Sequence, residues 1–217
     1  AKPLAYLGTH ILSATASLRA DGGAADSCRC ERYNLATKSW EEVAPMGTGR
    51  QERAVAVLDG GELGRAVRPG VERMGGGGAD GGEADSCRGG GAPLSSVERY
   101  DPTANAWEAV APIAVARCSS AVAVLDGKLY AVGGFDDGFL SSVERYDPTL
   151  DTWEAVAPMA AARIAHAVAV LDGKLYALGG FCNDGGFNTG LVSSVERYDP
   201  ALDVWEAVAP MAAARYN

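Results

Sequence analysis

Short apolar runs separated by turn residues fill the second half of the chain. The run "AVAVL" occurs at 121–125 and again at 167–171, and its apolar, β-branched character favours a buried strand. Asp-Gly follows each run and precedes "KLYAVGG" or "KLYALGG", which indicates a two-residue hairpin turn with positive φ. "SSVERY" and "WEAVAPM" then predict a third and a fourth strand on either side of an Asp-Pro turn. The unit has no helical period, so we expect four short antiparallel strands.

This unit recurs four times, and a tryptophan marks each copy. Each tryptophan follows a tyrosine by seven residues and precedes an arginine by ten; the four are Trp40, Trp107, Trp153 and Trp205. The four tryptophans are separated by 67, 46 and 52 residues, and recurrence at a period near 46–52 residues is the signature of a repeat architecture. Because one four-stranded sheet cannot bury both faces, several sheets have to pack face to face around an axis. We therefore expect an all-β fold, a β-propeller of about four four-stranded antiparallel blades.

The first half of the chain departs from the pattern. We place approximate blades at 1–49, 50–116, 117–162 and 163–217 of a single domain, and expect the first two to be degenerate. In the second, "RAVAVLDG" is an intact strand and turn, but a Gly-rich insertion at 60–94 replaces the partner strand and is typical of a flexible loop. Three alternatives stay open: a small closed ring, an incomplete part of a larger ring, and an open arc that self-associates through exposed apolar faces.

The unit resembles the kelch repeat. The residues that carry the resemblance are the apolar strand with its D-G turn, "LYAVGGF", "VERYDP", a tryptophan six residues after the aspartate, and "APM" followed by arginine. The match to the kelch repeat is specific over roughly Ser95 to Arg215. The wording of these repeats is most like that of the kelch propellers that follow a BTB domain in ubiquitin-ligase substrate adaptors. No BTB-like helical segment occurs among the 217 residues. The resemblance implies a kelch-type propeller that acts as a noncatalytic protein–protein interaction scaffold without a cofactor.

The same resemblance implies that a partner protein binds one face of the propeller. That face is built from the loops between the fourth and first strands and between the second and third strands. The residues selected as partner-binding are Arg50, Arg117, Ser119, Phe135, Asp136, Arg163, His166, Phe181, Asn183 and Arg215. A ring of arginines with aromatic anchors is suited to an acidic peptide motif. The alternative is that each arginine pairs internally with a nearby carboxylate such as Asp136, Asp137 or Asp184.

Three other recurring residue types have structural interpretations. We expect the tryptophans to pack blade against blade and the tyrosine that ends each third strand to lie in the core. The Glu-Arg pair of "VERY" is expected to form a cross-strand ion pair that contributes little to stability.

Composition narrows the class of partner. The net charge of −9 and the pI of about 4.7 argue against binding to nucleic acid or to an anionic membrane, which both favour a basic face. No stretch reaches the roughly 20 apolar residues of a membrane span. "LAYLGTHIL" followed by "SATA" loosely has the form of a signal peptide, but Gly8, Thr9 and His10 interrupt the apolar run, so a strand is preferred.

Cysteine and histidine usage argues against a metal site. The five cysteines are odd in number and irregularly spaced, which predicts reduced thiols in a cytosolic or nuclear setting and no zinc site; the cytoplasm is the expected location. The second candidate function is an enzyme on a kelch-type propeller, an oxidase or isomerase. Copper oxidases of this architecture need several Tyr, His and Cys ligands, whereas the only histidines here are His10 and His166. We therefore expect neither catalytic residues nor a metal or cofactor.

Overall fold

The structure is a computed structural model of the 217-residue chain. It describes residues 5–7, 10–16, 28–34, 39–44, 56–58, 65–68, 71–73, 91–101, 104–183 and 189–216, with side chains at 39, 41–44, 93–101, 104–182 and 190–216. All the regular elements in these ranges are β-strands, which confirms the all-β prediction.

Four antiparallel four-stranded sheets form what we call blades 1 to 4. The strands of blade 1 are Ala5–Leu7, His10–Ala16, Cys28–Asn34 and Ser39–Val43. Those of blade 2 are Ala56–Leu58, Arg65–Arg68, Val97–Asp101 and Ala106–Val110. Those of blade 3 are Ala121–Leu125, Lys128–Phe135, Phe139–Asp147 and Thr152–Val156. Those of blade 4 are Ala167–Leu171, Lys174–Leu178, Val195–Asp199 and Val204–Val208.

Two small sheets accompany the blades. A three-stranded sheet joins Ala162–Ile164, Phe181–Asn183 and Thr189–Leu191, and a two-stranded sheet joins Val71–Arg73 to Gly91–Pro93. The first of these ties the linker that enters blade 4 to the loop between the second and third strands of that blade.

Blade 2 is more regular than its sequence predicts. Arg65–Arg68 pairs with Ala56–Leu58 on one side and with Val97–Asp101 on the other, so the prediction that the Gly-rich insertion replaces this partner strand is wrong. Strand pairing uses backbone hydrogen bonds, which "RAVR" can form without the "LYAVGG" signature of the other blades.

The hairpin turns match the expectation from their Asp-Gly pairs. Asp126 and Asp172 have φ of 51° and 49°, and Gly127 and Gly173 have φ of 71° and 69°. Two consecutive residues with positive φ are the requirement of a type I′ turn, whose twist suits a β-hairpin.

The core consists of apolar layers between successive blades. The layer between blades 2 and 3 contains Val97, Ile113, Leu129, Ala131 and Tyr146. The layer between blades 3 and 4 contains Ala123, Leu125, Tyr130, Val132, Val143, Met159, Leu175, Ala177 and Tyr198. First strands of consecutive blades lie side by side, so the blades follow one another around an axis in chain order.

The arc of blades is open after blade 4. Leu171 on the last face of blade 4 is 58% exposed, whereas its counterpart Leu125 in blade 3 is 3% exposed. No other part of the described chain covers this face, and the sheets therefore do not close into a ring.

Each tryptophan with a described side chain bonds to the preceding blade, which confirms the blade-to-blade interpretation. The indole Nε1 atoms of Trp107, Trp153 and Trp205 donate to the backbone oxygens of Ala44, Ala111 and Ala157, at 2.9, 2.8 and 2.9 Å. Each acceptor belongs to the Ala-Pro that ends the preceding blade.

A side-chain oxygen holds the same alanine from the other side. The backbone N–H groups of Ala44, Ala111 and Ala157 donate to Oδ1 of Asn105, Asp151 and Asp203, at 3.0, 3.0 and 2.9 Å. These oxygens also accept the hydroxyls of the buried tyrosines Tyr100, Tyr146 and Tyr198. We call the pair of bonds to one alanine the alanine clamp; the tyrosines are fully buried, as expected.

Candidate functional site

Arg117 lies in the linker between blades 2 and 3, and its side chain is fully buried. Its Nη1 donates to the backbone oxygens of Gly133 and Ser142 at 2.7 and 3.2 Å. Its Nη2 donates to Ser142 Oγ at 3.2 Å and to Glu144 Oε1 at 2.7 Å. Burial lowers the pKa of the Arg117 guanidinium from its usual value, while the hydrogen bond and charge of Glu144 oppose that shift.

Arg163 repeats this arrangement one blade later. It is 1% exposed, and its Nη1 donates to the backbone oxygens of Gly179 and Ser194 at 3.0 and 3.2 Å. Its Nη2 donates to Ser194 Oγ at 3.0 Å and to Glu196 Oε1 at 2.9 Å. Two copies with the same partners show that the network belongs to the repeat.

The two glutamates also bind the linker backbone. Glu144 accepts the N–H groups of Ala114 and Val115 at 2.8 and 3.1 Å. Glu196 accepts those of Ala160 and Ala161 at 2.7 and 3.2 Å. Each buried carboxylate thus joins an arginine to the loop that connects two blades. The additional hydrogen bonds from the loop offset part of the free-energy cost of removing the ion pair from water. The result is a rigid connection at the loop edge of the propeller.

The interpretation of Arg117 and Arg163 as ligand contacts is wrong for this structure. Both side chains are enclosed and paired, which is the internal alternative, but their partner is the glutamate of "VERY" rather than Asp136, Asp137 or Asp184. The expected cross-strand pair is formed by the arginine of "VERY" alone, as in Arg145–Glu154 at 2.6 Å. A signal for the buried pair was present, because an arginine five residues after "AP" and a glutamate before "RY" recur together in each copy.

The diglycine that ends the second strand makes room for this network. Gly133 and Gly134 have φ of 58° and 107°, in the region that favours glycine. A Cβ on Gly133 would lie 2.7 Å from the Arg163 backbone oxygen, and one on Gly134 would lie 2.7 Å from the Cys118 backbone oxygen. Only glycine allows the strand end to approach both linkers this closely.

His166 is buried rather than available to a partner, which corrects its selection as a partner-binding residue. It is 2% exposed, and within the described residues neither ring nitrogen has a hydrogen-bond partner. Burial, together with the charge of Arg163, lowers the pKa of His166 to about 3. The imidazole is therefore neutral near neutral pH and acts as a packing group beside Gly133 and Gly180.

Five of the ten selected residues lie at the surface. We call them the loop surface: Ser119, Phe135, Asp136, Phe181 and Arg215. Phe135 and Phe181 are partly exposed, and Arg215 is exposed. Of the remaining residues, Arg50 and the side chain of Asn183 lie outside the described part of the chain.

Each phenylalanine of the loop surface has an aromatic neighbour that the sequence analysis did not select. Phe135 packs edge-on against Phe139 with ring centroids 6.1 Å apart, and Phe181 packs against Tyr216 with centroids 5.1 Å apart. The repeated phenylalanine of "FDDGF" was the available signal for Phe139, because a hairpin places both of its ends together. Asp137, in the turn between them, is exposed.

The described cysteines differ in oxidation state. Cys118 is disulfide-bonded, whereas Cys182 is free and buried. The expectation that all five thiols are reduced is therefore wrong for Cys118. Burial raises the pKa of the Cys182 thiol, which disfavours its thiolate.

Neither a metal cluster nor a membrane span occurs in the part of the chain that the structure describes. It contains no group of three His, Cys, Asp or Glu residues placed to hold a metal ion. It also contains no helix with the length and hydropathy of a membrane span.

Comparison with known proteins identifies the repeat. The kelch motif matches residues 81–113, 116–160 and 162–212, which together are more than half of the chain. This chain belongs to the kelch-repeat family. In this kelch protein the matched ranges cover all four strands of blades 3 and 4 and the last two strands of blade 2.

Similar proteins include several named Kelch-like. Kelch-like protein 35 of Mus musculus is 32% identical over 125 residues, which are 56% of this chain and 18% of that protein. Kelch-like protein 4 of Homo sapiens is 55% identical over 40 residues, which are 18% of this chain and 6% of that protein. The kelch chain therefore spans less than a fifth of the length of these curated relatives.

A solved structure supports the propeller arrangement. The structure of YjhT superposes on 99% of this chain and on 67% of its own chain, with a TM-score of 0.70 and 15% sequence identity. At this identity the likeness shows the fold alone. The four blades thus have the arrangement of about two-thirds of that chain.

Proposed function

We propose that this kelch chain is a noncatalytic protein–protein interaction module whose partner binds across the loop surface. The observation that carries the proposal is the combination of rigid loop bases and exposed aromatic rings. The Arg117–Glu144 and Arg163–Glu196 networks hold the bases of the loops, while Phe135 and Phe181 remain partly exposed at the same edge. Preorganised loops lose little entropy on binding, and aromatic side chains are common binding anchors.

The chemistry of the partner differs from that expected of an arginine ring. Two of the four arginines are buried, and the loops between them present the carboxylates of Asp136 and Asp137. The described part of this surface therefore offers one exposed arginine, Arg215, rather than the ring of arginines suited to an acidic peptide motif. We propose a partner segment with apolar or aromatic anchors that pack against Phe135 and Phe181.

The narrower form of the proposal concerns biological context. We propose that the module recognises substrates for a ubiquitin ligase in the cytoplasm, which is supported by the resemblance of its repeats to those of BTB-kelch adaptors and by its Kelch-like relatives. Self-association through the open end of the arc is a further part of the proposal, supported by the exposed apolar face of blade 4.

Affinity capture with the full chain tests the loop surface. Phe135→Ala combined with Phe181→Ala should abolish capture of the partner protein, which mass spectrometry identifies. The matched control is Leu150→Ala with Leu202→Ala, because these side chains are 69% and 70% exposed in turns at the opposite edge of the blades. Loss of the partner with both double variants, or with neither, would overturn the proposed surface.

Two further readouts address catalysis and context. Metal analysis of the purified chain should find no stoichiometric copper or iron, and a bound metal would favour the enzyme alternative. Co-purification of the captured partner with a ubiquitin-ligase subunit, in cytoplasmic extract, is the expected result for the adaptor role. If the partner co-purifies without any ligase subunit, the interaction-module proposal stands and the proposed ubiquitin-ligase role is refuted.

A further inference from the structure

We infer that the blade 3 part of the loop surface binds a lysine or arginine side chain of the partner segment, which contacts the Phe135 and Phe139 rings and pairs with Asp136 and Asp137. This inference deepens the proposed function and rests on it, because it adds a basic residue to the apolar or aromatic anchors of that partner. The charge of the partner is then opposite to that of the acidic motif expected from the sequence.

The two phenylalanine rings flank a short turn that carries both aspartates. The strand register places Phe135 opposite Phe139, and both rings are partly exposed. The backbone of Phe135 exchanges two hydrogen bonds with Cys118 of the linker, at 3.0 and 2.9 Å. Within the turn, the Asp136 N–H donates to the Gly138 oxygen at 3.0 Å. The rings and the turn are therefore held in place before a partner binds.

The cationic side chains of blade 3 and of the linker that enters it already have carboxylate partners. They are Arg117, Lys128 and Arg145, which pair with Glu144, Asp147 and Glu154 at 2.7, 3.1 and 2.6 Å. The carboxylates of Asp136 and Asp137 form no hydrogen bond or ion pair within the part of the chain that the structure describes. No cation of this blade is left to neutralise them.

The turn therefore carries negative charge in excess. Burial lowers the pKa of Arg117, and the charges of both Glu144 and Asp136 oppose that shift, so two carboxylates act on one guanidinium. Glu144 alone neutralises Arg117, and Asp137 adds a further exposed carboxylate. A cationic side chain is stabilised by unpaired carboxylates and by the faces of aromatic rings. The turn between Phe135 and Phe139 offers both.

The two aspartates are not required by the fold of the repeat. Phe181 of blade 4 stands where Phe135 stands in blade 3, but Cys182 and Asn183 follow it. The residues that hold the linkers behave differently, because the buried arginine–glutamate pair recurs in both blades. Blade 4 thus forms the same framework without acidic residues at these positions, which leaves Asp136 and Asp137 available to a partner.

Charge elsewhere on the chain fixes which side of the loop surface takes the basic residue. The exposed Arg215 lies on the blade 4 side, where its backbone oxygen accepts the Gly180 N–H at 2.8 Å. The basic residue of the partner should therefore face blade 3, and its apolar or aromatic anchor should face Phe181. The net charge of −9 also favours encounter with a basic segment.

Selection from a random-peptide phage library on the immobilised full chain tests which class of residue is recognised. Enriched peptides should carry lysine or arginine beside an aromatic or apolar residue. Enrichment of acidic peptides, of apolar peptides without a basic residue, or of no peptide would overturn the inference.

Fluorescence anisotropy with the most enriched peptide measures the effect of the two carboxylates. Asp136→Asn with Asp137→Asn should weaken binding by roughly threefold to tenfold, as expected for the loss of exposed ion pairs, and the remaining affinity should depend less on salt. The matched control is Asp126→Asn with Asp172→Asn, which removes two exposed carboxylates from the hairpin turns at the opposite edge and should bind like the wild type. Asparagine tolerates the positive φ of Asp126, Asp137 and Asp172, so these turns should be preserved.

A second measurement leaves the protein unchanged. Replacing the basic residue of the peptide by glutamine should weaken its binding to the wild type and remove the difference between the wild type and the Asp136→Asn, Asp137→Asn variant. Equal affinity of the two double variants for the basic peptide, or a difference that persists with the glutamine peptide, would contradict the inference.

Phe135→Ala with Phe181→Ala separates failure of this inference from failure of the proposed function. If these substitutions abolish peptide binding while the Asp136→Asn, Asp137→Asn variant binds like the wild type, the loop surface stands and the basic residue is wrong. If they leave peptide binding unchanged, the proposed surface itself is wrong and the inference fails with it.

Discussion

The buried carboxylate of Glu196 offers a sharp test of how the kelch loops are held. Glu196→Gln keeps the size of the side chain and removes its charge. The carboxylate accepts bonds from Arg163 Nη2 at 2.9 Å, Arg163 Nε at 3.3 Å, Ala160 N at 2.7 Å and Ala161 N at 3.2 Å. A carboxamide has one oxygen and one NH2 group, so its NH2 must face at least one of these donors.

The cost of this substitution follows from burial. Glu196 is 3% exposed, and the substitution leaves the enclosed Arg163 guanidinium without a countercharge. Removing one partner of a buried ion pair costs about 3–5 kcal/mol in the free energy of unfolding. With a urea m-value of about 1–3 kcal/mol/M, the midpoint of unfolding should fall by at least about 1 M.

Urea unfolding followed by circular dichroism measures this shift. Glu144→Gln should have a similar effect in blade 3, because its carboxylate accepts bonds from Arg117 Nη2, Ala114 N and Val115 N and lacks only the bond from the arginine Nε. Glu206→Gln is the control in blade 4: its carboxylate is 52% exposed, and its pair with Arg197 is a surface pair, which contributes little. If Glu196→Gln and Glu206→Gln unfold at the same midpoint, Arg163 is not enclosed in solution, and its role as a ligand contact has to be reconsidered.

Three further predictions concern the blade interfaces. His166→Ser, which copies Ser120 of the preceding blade, should remove an acid-dependent loss of stability. The pKa of His166 in the folded protein is lowered to about 3, so between pH 6.5 and 4.5 the unfolded wild-type chain gains a proton that the folded chain does not. The free energy of unfolding of the wild type should therefore fall by up to about 1.4 kcal/mol per pH unit relative to the variant. Parallel slopes for the two proteins in chemical denaturation would contradict this. Asp203→Asn should preserve the alanine clamp, as asparagine does in blade 2. Asp203→Ala should cost about 0.5–1.5 kcal/mol in the free energy of unfolding for each hydrogen bond it removes, those from the Ala157 N–H and the Tyr198 hydroxyl. Equal thermal midpoints for the two variants would argue against the clamp. Gly134→Ala should lower the thermal midpoint, because residue 134 has a positive φ and its new Cβ would lie 2.7 Å from the Cys118 backbone oxygen. Gly138→Ala is the control and should have little effect, because no atom lies within 4 Å of its Cβ. Similar midpoints for the two variants would show that the strand end can move aside.

The Arg163–Glu196 pair illustrates what sequence reasoning could and could not predict about the site. The recurrence of both residues in each unit is visible in the sequence, but 33 positions separate them, and pairing across a blade depends on how the linker folds back over the sheet. The aspartates selected as partners were nearer in sequence. The buried arginine instead forms an ion pair with a carboxylate that is also buried, since an enclosed glutamate and an enclosed arginine compensate each other's desolvation.

Blade 2 shows the opposite limit. Its second strand, Arg65–Arg68, has neither the apolar pattern nor the diglycine of the other blades, and the sequence therefore indicated a loop. The flanking strands present backbone groups that need partners, so the tertiary arrangement forms a strand from residues that do not predict one.

The heptapeptide "AVAVLDG" separates local from tertiary determinants in this chain. Its two copies form the same strand and the same positive-φ turn, because alternation, β-branching and the Asp-Gly pair act through neighbouring residues. Their exposure differs nonetheless: Leu125 is 3% exposed and Leu171 is 58% exposed. The sequence by itself thus determined the strands, the turns and the repeat, and only the tertiary structure decided which faces are buried, because burial depends on whether another blade stands next to that face.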